Sequence, residues 1–174
     1  MMSIDPRVPK PAKRISHERP LLVLLRDAVA DLGVDCVTGH AGSNRFGIDG
    51  WRLSRPQQFQ FGDLRIELPT TTVLVETESG GGVTNLVKYW PLLRSRTSDK
   101  RLVLIHLYML DSDGDYSAHR KLWSFLVDQM EIDLKSIGIS RPDQWDARIF
   151  TYRRGDPPDD VTAFLRMTIA AGSA

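Results

Sequence analysis

Residues 70–89, TTTVLVETESGGGVTNLVKY, constrain the fold more than any other stretch of the chain. The β-branched run Thr72-Val73-Leu74-Val75 is of the kind that sits inside a sheet. In a strand, residues i and i+2 share a face, so Glu76 and Glu78 project together. Side by side the two carboxylates repel, and a charge buried without a partner costs roughly several kcal/mol. A strand that keeps both therefore needs a solvated end, basic neighbours or a bound cation. Gly80-Gly81-Gly82 then interrupts the pattern. Apolar positions resume at helical spacing with Val83, Leu86, Val87, Trp90 and Leu93, which predicts one helix of about 12 residues. Glycines before a helix can cradle a phosphate. No P-loop Lys-Ser/Thr follows them, however, and their spacing is not a dinucleotide fingerprint. They read as a loop that gives the chain room to turn.

The flanking sequence supplies the other layers. Ser16 as N-cap, Pro20 in the first turn and Leu21, Leu22, Leu24, Leu25, Val29 and Leu32 predict a helix ending near Gly33. Residues 34–68 read as antiparallel β structure, with strands over 35–38, 45–53 and 58–68. In its last part Leu64, Ile66 and Leu68 face the core, and Asp63, Arg65 and Glu67 face the other side. Pro69 ends that run, and 71–79 is the next strand. RLVLIHLYML, residues 101–110, is a near-continuous apolar strand, as a sheet covered on both faces requires.

An amphipathic helix follows over 117–137, with Leu122, Trp123, Leu126, Val127, Met130 and Leu134 inward. A short strand over 147–152 comes next, and then a helix through 167 capped by Asp159 or Asp160. This order predicts a single α/β domain with a mixed central sheet flanked by helices on both faces.

With 174 residues the chain has the length of one domain, placed over 17–170. Residues 1–16, with Pro6, Pro9 and Pro11 among Arg7, Lys10, Lys13 and Arg14, predict a flexible basic arm. A second basic cluster holds Arg94, Arg96, Lys100 and Arg101. The net charge of +1 neither favours nor excludes a nucleic-acid partner. One cysteine, Cys36, excludes an internal disulfide and a cysteine-based zinc site. With no signal peptide and no apolar run of about 18 residues, a cytoplasmic protein without a membrane segment is expected. His17, His40, His106 and His119 lack metal-ligand spacing, and His106 reads as a satisfied core histidine.

The succession GDLRIEL, TVLVETES and NLVKYW resembles the core of the PD-(D/E)xK nuclease superfamily, the restriction-endonuclease-like fold. In that family a hairpin carries an acidic residue at the start of one strand. The next strand carries Asp or Glu, any residue, then Lys, and a helix follows. The resemblance covers roughly residues 18–110 and puts the first acid at Asp63, preceded by Gly62 where the family has proline. The second acid falls on Glu76, and the lysine position falls on Glu78. Members with a carboxylate in the lysine position rely more on metal ions, and others move the lysine to the following helix, where Lys88 stands. A further acid in the first helix corresponds to Glu18.

The resemblance implies a metal-dependent phosphodiesterase acting on DNA. Mg²⁺, with Mn²⁺ as substitute, would be held by Asp63, Glu76 and the backbone carbonyl of Thr77, completed by Glu78 or Glu18. Asp63, Glu76, Glu78 and Lys88 are then the catalytic set, and Lys13, Arg14, Asn85, Arg94 and Arg96 the DNA contacts. Two alternatives stay open. Glu76 and Glu78 could lie at a solvated strand end paired with Arg65 and Lys88, in an inactive nuclease-fold subunit that binds DNA or assembles with other proteins. The chain could also be a structural protein forming a homodimer through its apolar helices.

Overall fold

The two strands anticipated from apolar runs, β3 (Thr71–Ser79) and β4 (Arg101–Leu110), lie side by side and parallel. The computed structural model describes residues 18–38, 60–79, 83–95, 98–110, 117–153 and 155–173. Along the chain, α1 (Glu18–Ala30), β1 (Cys36–Thr38) and β2 (Leu64–Glu67) precede β3. Two short helices, α2 (Thr84–Val87) and α3 (Tyr89–Ser95), join β3 to β4, and α4 (Ser117–Ser136), β5 (Trp145–Arg153) and α5 (Asp159–Ser173) follow. The strand order is β1-β2-β3-β4-β5, antiparallel from β1 to β3 and parallel from β3 to β5. The result is a single α/β domain built on a mixed sheet.

Side-chain alternation divides the core in two. Val73 and Val75 of β3 and Val103, Ile105 and Leu107 of β4 pack with Leu21, Leu25 and Val29 of α1 and Val161, Leu165 and Ile169 of α5. On the other face, Leu74, Leu102, Leu104 and Tyr108 pack with Leu86, Tyr89 and Leu93 and with Trp123, Val127, Met130 and Leu134 of α4. Both faces of β4 are thus covered, which is why its sequence is apolar nearly throughout. Each such Leu or Val contributes roughly 1.5–3 kcal/mol by leaving water.

Several boundaries differ from the sequence reading. The helix expected after the glycines is divided at Lys88, although Lys88 itself keeps right-handed helical angles (φ −64°, ψ −24°). Pro91 has no N–H to bond back to the carbonyl of Val87, so the ladder is interrupted there. Leu24, Leu32 and Leu122, expected inward, are exposed. β2 starts at Leu64 instead of 58, and the strand expected over 45–53 lies outside the described residues. Helix α5 runs on to Ser173 because its last turn still packs on the sheet, where the Gly172 carbonyl accepts from Thr70 N and Oγ1 at 3.3 and 3.0 Å. Among the described residues, no helix is long and apolar enough to cross a membrane.

Toward the N-terminal ends of β4 and β5, buried Asp146 is surrounded by Arg141 (2.9 Å), Arg148 (3.2 Å) and Arg101 (3.7 Å). Arg101 of the second basic cluster is therefore bound to the fold. Lys100 is likewise engaged, with Glu67 and the Leu68 carbonyl.

Candidate acidic site at the carboxyl end of the sheet

The site begins at a bend. Gly62 has φ +78°, a left-handed conformation that glycine adopts without strain. Its N–H donates to Glu76 Oε1 at 2.8 Å. Proline, fixed near φ −65° and lacking that N–H, fits neither requirement. This accounts for the glycine found where the resembling family has proline.

One residue on, Asp63 Oδ2 accepts from Thr77 N (2.8 Å) and Thr77 Oγ1 (2.7 Å), while Asp63 N donates to the Val75 carbonyl at 2.7 Å. Bonds thus run both ways between 62–63 and 75–77, and they fix two carboxylates beside each other. In Gly62→Ala the new Cβ would stand 2.9 Å from the Leu64 carbonyl oxygen, in a backbone conformation that L-residues avoid. The expected loss is about 2 kcal/mol, read from urea denaturation. An unchanged midpoint would show that the bend is not under this constraint.

Glu76 is buried, at 4% exposure, so it does not sit at a solvated strand end. Lys88 lies between α2 and α3, and its Nζ is 2.5 Å from Glu76 Oε1. Tyr89 donates its hydroxyl to the same oxygen. Burial, and next the Glu76 charge, push the Tyr89 phenol well above its usual range, so it remains a donor. The Lys88 ammonium also lies over the Phe61 and Tyr89 rings, 5.8 and 5.4 Å from their centroids. One oxygen of each carboxylate is fixed in this way. Among the described residues, no hydrogen bond reaches Asp63 Oδ1 or Glu76 Oε2.

The structure therefore brings Asp63, Glu76, Thr77 and Lys88 together. Glu78 is half-buried and accepts from Asn85 Nδ2 of α2, which ties the end of β3 to that helix. Arg65 pairs with Glu67 at 3.7 Å. Arg94 is engaged with Asp133 at 2.5 Å, where Trp90 Nε1 also donates at 2.6 Å. Glu18 opens α1, which packs on the sheet face opposite α2 and α3, and its side chain lies outside the described residues. Lys13, Arg14 and Arg96 lie outside them as well. Among the described residues, no three or more His, Cys, Asp or Glu form a group able to hold a metal ion.

Sequence reasoning missed three residues of this region: Tyr89, His106 and Tyr108. His106 is in register with Glu76, and Tyr108 with Glu78, in the parallel β3–β4 pair. His106 is buried as expected but is only half satisfied. Its Nδ1 accepts from Trp123 Nε1 at 3.2 Å, and its Nε2 has no partner among the described residues. The Tyr108 hydroxyl is also buried, without a partner among the described residues. Each such orphan costs roughly 1–3 kcal/mol. The Tyr108 phenol is pushed up to about 12, first by burial and then by the Glu78 charge.

Burial, and next the Lys88 charge, lower the His106 pKa from 6.5 to about 4. Between those values the unfolded chain binds a proton that the folded chain refuses, so stability rises with pH across the interval. The contribution is whole above about pH 6.5 and falls away toward pH 4, a loss of about 3 kcal/mol. In His106→Gln, stability by urea denaturation should fall less between pH 7 and pH 4. Equal losses in both proteins would exclude this source of acid sensitivity.

Comparison of the chain with known protein families, curated proteins and solved structures finds no match.

Proposed function

We propose that the chain is a metal-dependent phosphodiesterase of the restriction-endonuclease-like fold that hydrolyses DNA. The observation that carries this reading is the buried pair of carboxylates, Asp63 and Glu76, with the Lys88 ammonium on Glu76. The order of helix, antiparallel hairpin, acidic strand, helix and parallel strand supports it further. The choice of DNA rests on the sequence resemblance.

The donor set fits a hard divalent cation. Mg²⁺ is commonly held by one or two carboxylates and completes its shell with water. Asp63 and Glu76 supply the carboxylates, each with one oxygen not engaged by the described residues, and the Thr77 carbonyl is the third oxygen donor of the proposed set. A cation there supplies an acidified water and charge for the phosphoryl oxygens. The chain's own residues do the rest. Thr77 holds Asp63 in one rotamer, and Gly62 and Tyr89 hold Glu76. Lys88 brings a positive charge to the place left without one by Glu78, and there it orients the attacking water and stabilises charge at phosphorus.

The direct test incubates the purified protein with plasmid, duplex and single-stranded DNA in Mg²⁺, Mn²⁺ or EDTA. Cation-dependent cleavage that EDTA stops is expected, and intact DNA under every condition counts against the reading.

A second reading has its own observation. Lys88 already neutralises Glu76, and no third carboxylate joins the pair among the described residues. An inactive nuclease-fold subunit that binds DNA or assembles with other proteins would look the same. Calorimetric titration with Mg²⁺ and Mn²⁺ separates the two, since absence of binding with and without DNA favours the inactive subunit.

A further inference from the structure

The strand beside the acidic pair carries two hydrogen-bond donors without a partner among the described residues. His106 and Tyr108 are two residues apart on β4, so they share a face, and their rings lie 5.2 Å apart between centroids. They are 1% and 0% exposed, in register with Glu76 and Glu78 respectively. An indole N–H can only donate, so the bond from Trp123 to His106 Nδ1 places the imidazole proton on Nε2. The pair therefore offers a neutral N–H and a phenolic O–H, neither with an acceptor among the described residues. Buried donors in native proteins are nearly always paired, and unpaired ones at a functional site call for an explanation.

We infer that His106 Nε2–H and Tyr108 O–H form a subsite for one anionic oxygen of the substrate's phosphate, beside the carboxylates that take the cation. The inference rests on the phosphodiesterase reading and adds to it the group that receives the phosphate. Neutral donors suit this task, because they stabilise a negative oxygen without repelling a metal ion. Next to Tyr108 in register, Glu78 is half-buried and accepts the hydrogen bond from Asn85 that ties β3 to α2. Trp123 acts as a positioning residue, since it fixes which imidazole nitrogen carries the proton.

Tyr108→Phe removes the hydroxyl and nothing else. If that hydroxyl awaits a substrate oxygen, the free protein loses only an unsatisfied polar group. Its melting temperature should stay the same or rise by about 2–4 °C. On cleavage of a labelled oligonucleotide in Mg²⁺, kcat/KM should fall roughly tenfold to a hundredfold. A wild type that cleaves and a variant that cleaves within twofold of it would overturn the subsite and leave the phosphodiesterase standing. A fall in melting temperature that parallels the fall in activity would overturn it too, because the hydroxyl would then be structural. A wild type that cleaves no DNA with any divalent cation would remove the phosphodiesterase reading, and this inference with it.

Discussion

Replacing Asp63 with Asn should lower cation-dependent DNA cleavage by roughly a thousandfold or more while leaving the fold standing. The two halves of this result have separate causes. The Asn side chain keeps a carbonyl oxygen, which can still accept from Thr77 N and Oγ1 as Asp63 Oδ2 does. The bracing between the bend and β3 therefore survives. What is lost is the negative charge and the second anionic oxygen, which a hard cation needs most. Circular dichroism and a thermal melt should match wild type, and a single-turnover cleavage assay should show almost no product. Glu76→Gln should lose activity as well, but less cleanly, because it also leaves Lys88 without its counter-charge. Full cleavage by both variants would sink the assignment.

The second large effect concerns stability. Lys88 and Glu76 form an ion pair whose side chains are 15% and 5% exposed. Removing one partner of a buried pair strands the other charge, at a cost of roughly 3 kcal/mol. Lys88→Met should therefore lower the melting temperature by about 6–12 °C. Tyr89 and Gly62 still donate to Glu76 and offset part of the loss. Adding Glu76→Gln to Lys88→Met should recover part of the difference, since no bare charge then remains. A Lys88→Met protein as stable as wild type would mean that Glu76 is already well solvated. Its 4% exposure excludes that.

Much of the scaffold was legible in the sequence. β3 and β4 were marked by β-branched and apolar runs, and β3 has the anticipated bounds. The alternation of Leu64, Ile66 and Leu68 gave the inward face of the hairpin, and all three are buried. The helix between them was placed, but not its division. The break depends on one missing N–H at Pro91, a local effect that the apolar spacing hides.

At the site, sequence pointed to the conflict between Glu76 and Glu78 but not to its outcome. That outcome depends on where the helices lie over the sheet. Glu76 turned to Lys88 and Tyr89, Glu78 turned to Asn85, and Arg65 pairs with Glu67. His106 and Tyr108 were invisible as site residues for a related reason. Their place beside the two glutamates is set by the β3–β4 register, which pairs residues far apart in the chain. Within β4 itself they look like two more members of a buried strand.

The most direct test of the central claim is a crystal soaked in Mn²⁺ and measured for anomalous scattering. The account predicts a peak on the carboxylates of Asp63 and Glu76, with Lys88 still directed into the same space, and no peak in Asp63→Asn. An ordered site with no peak, and Lys88 alone neutralising Glu76, would contradict the metal-dependent mechanism.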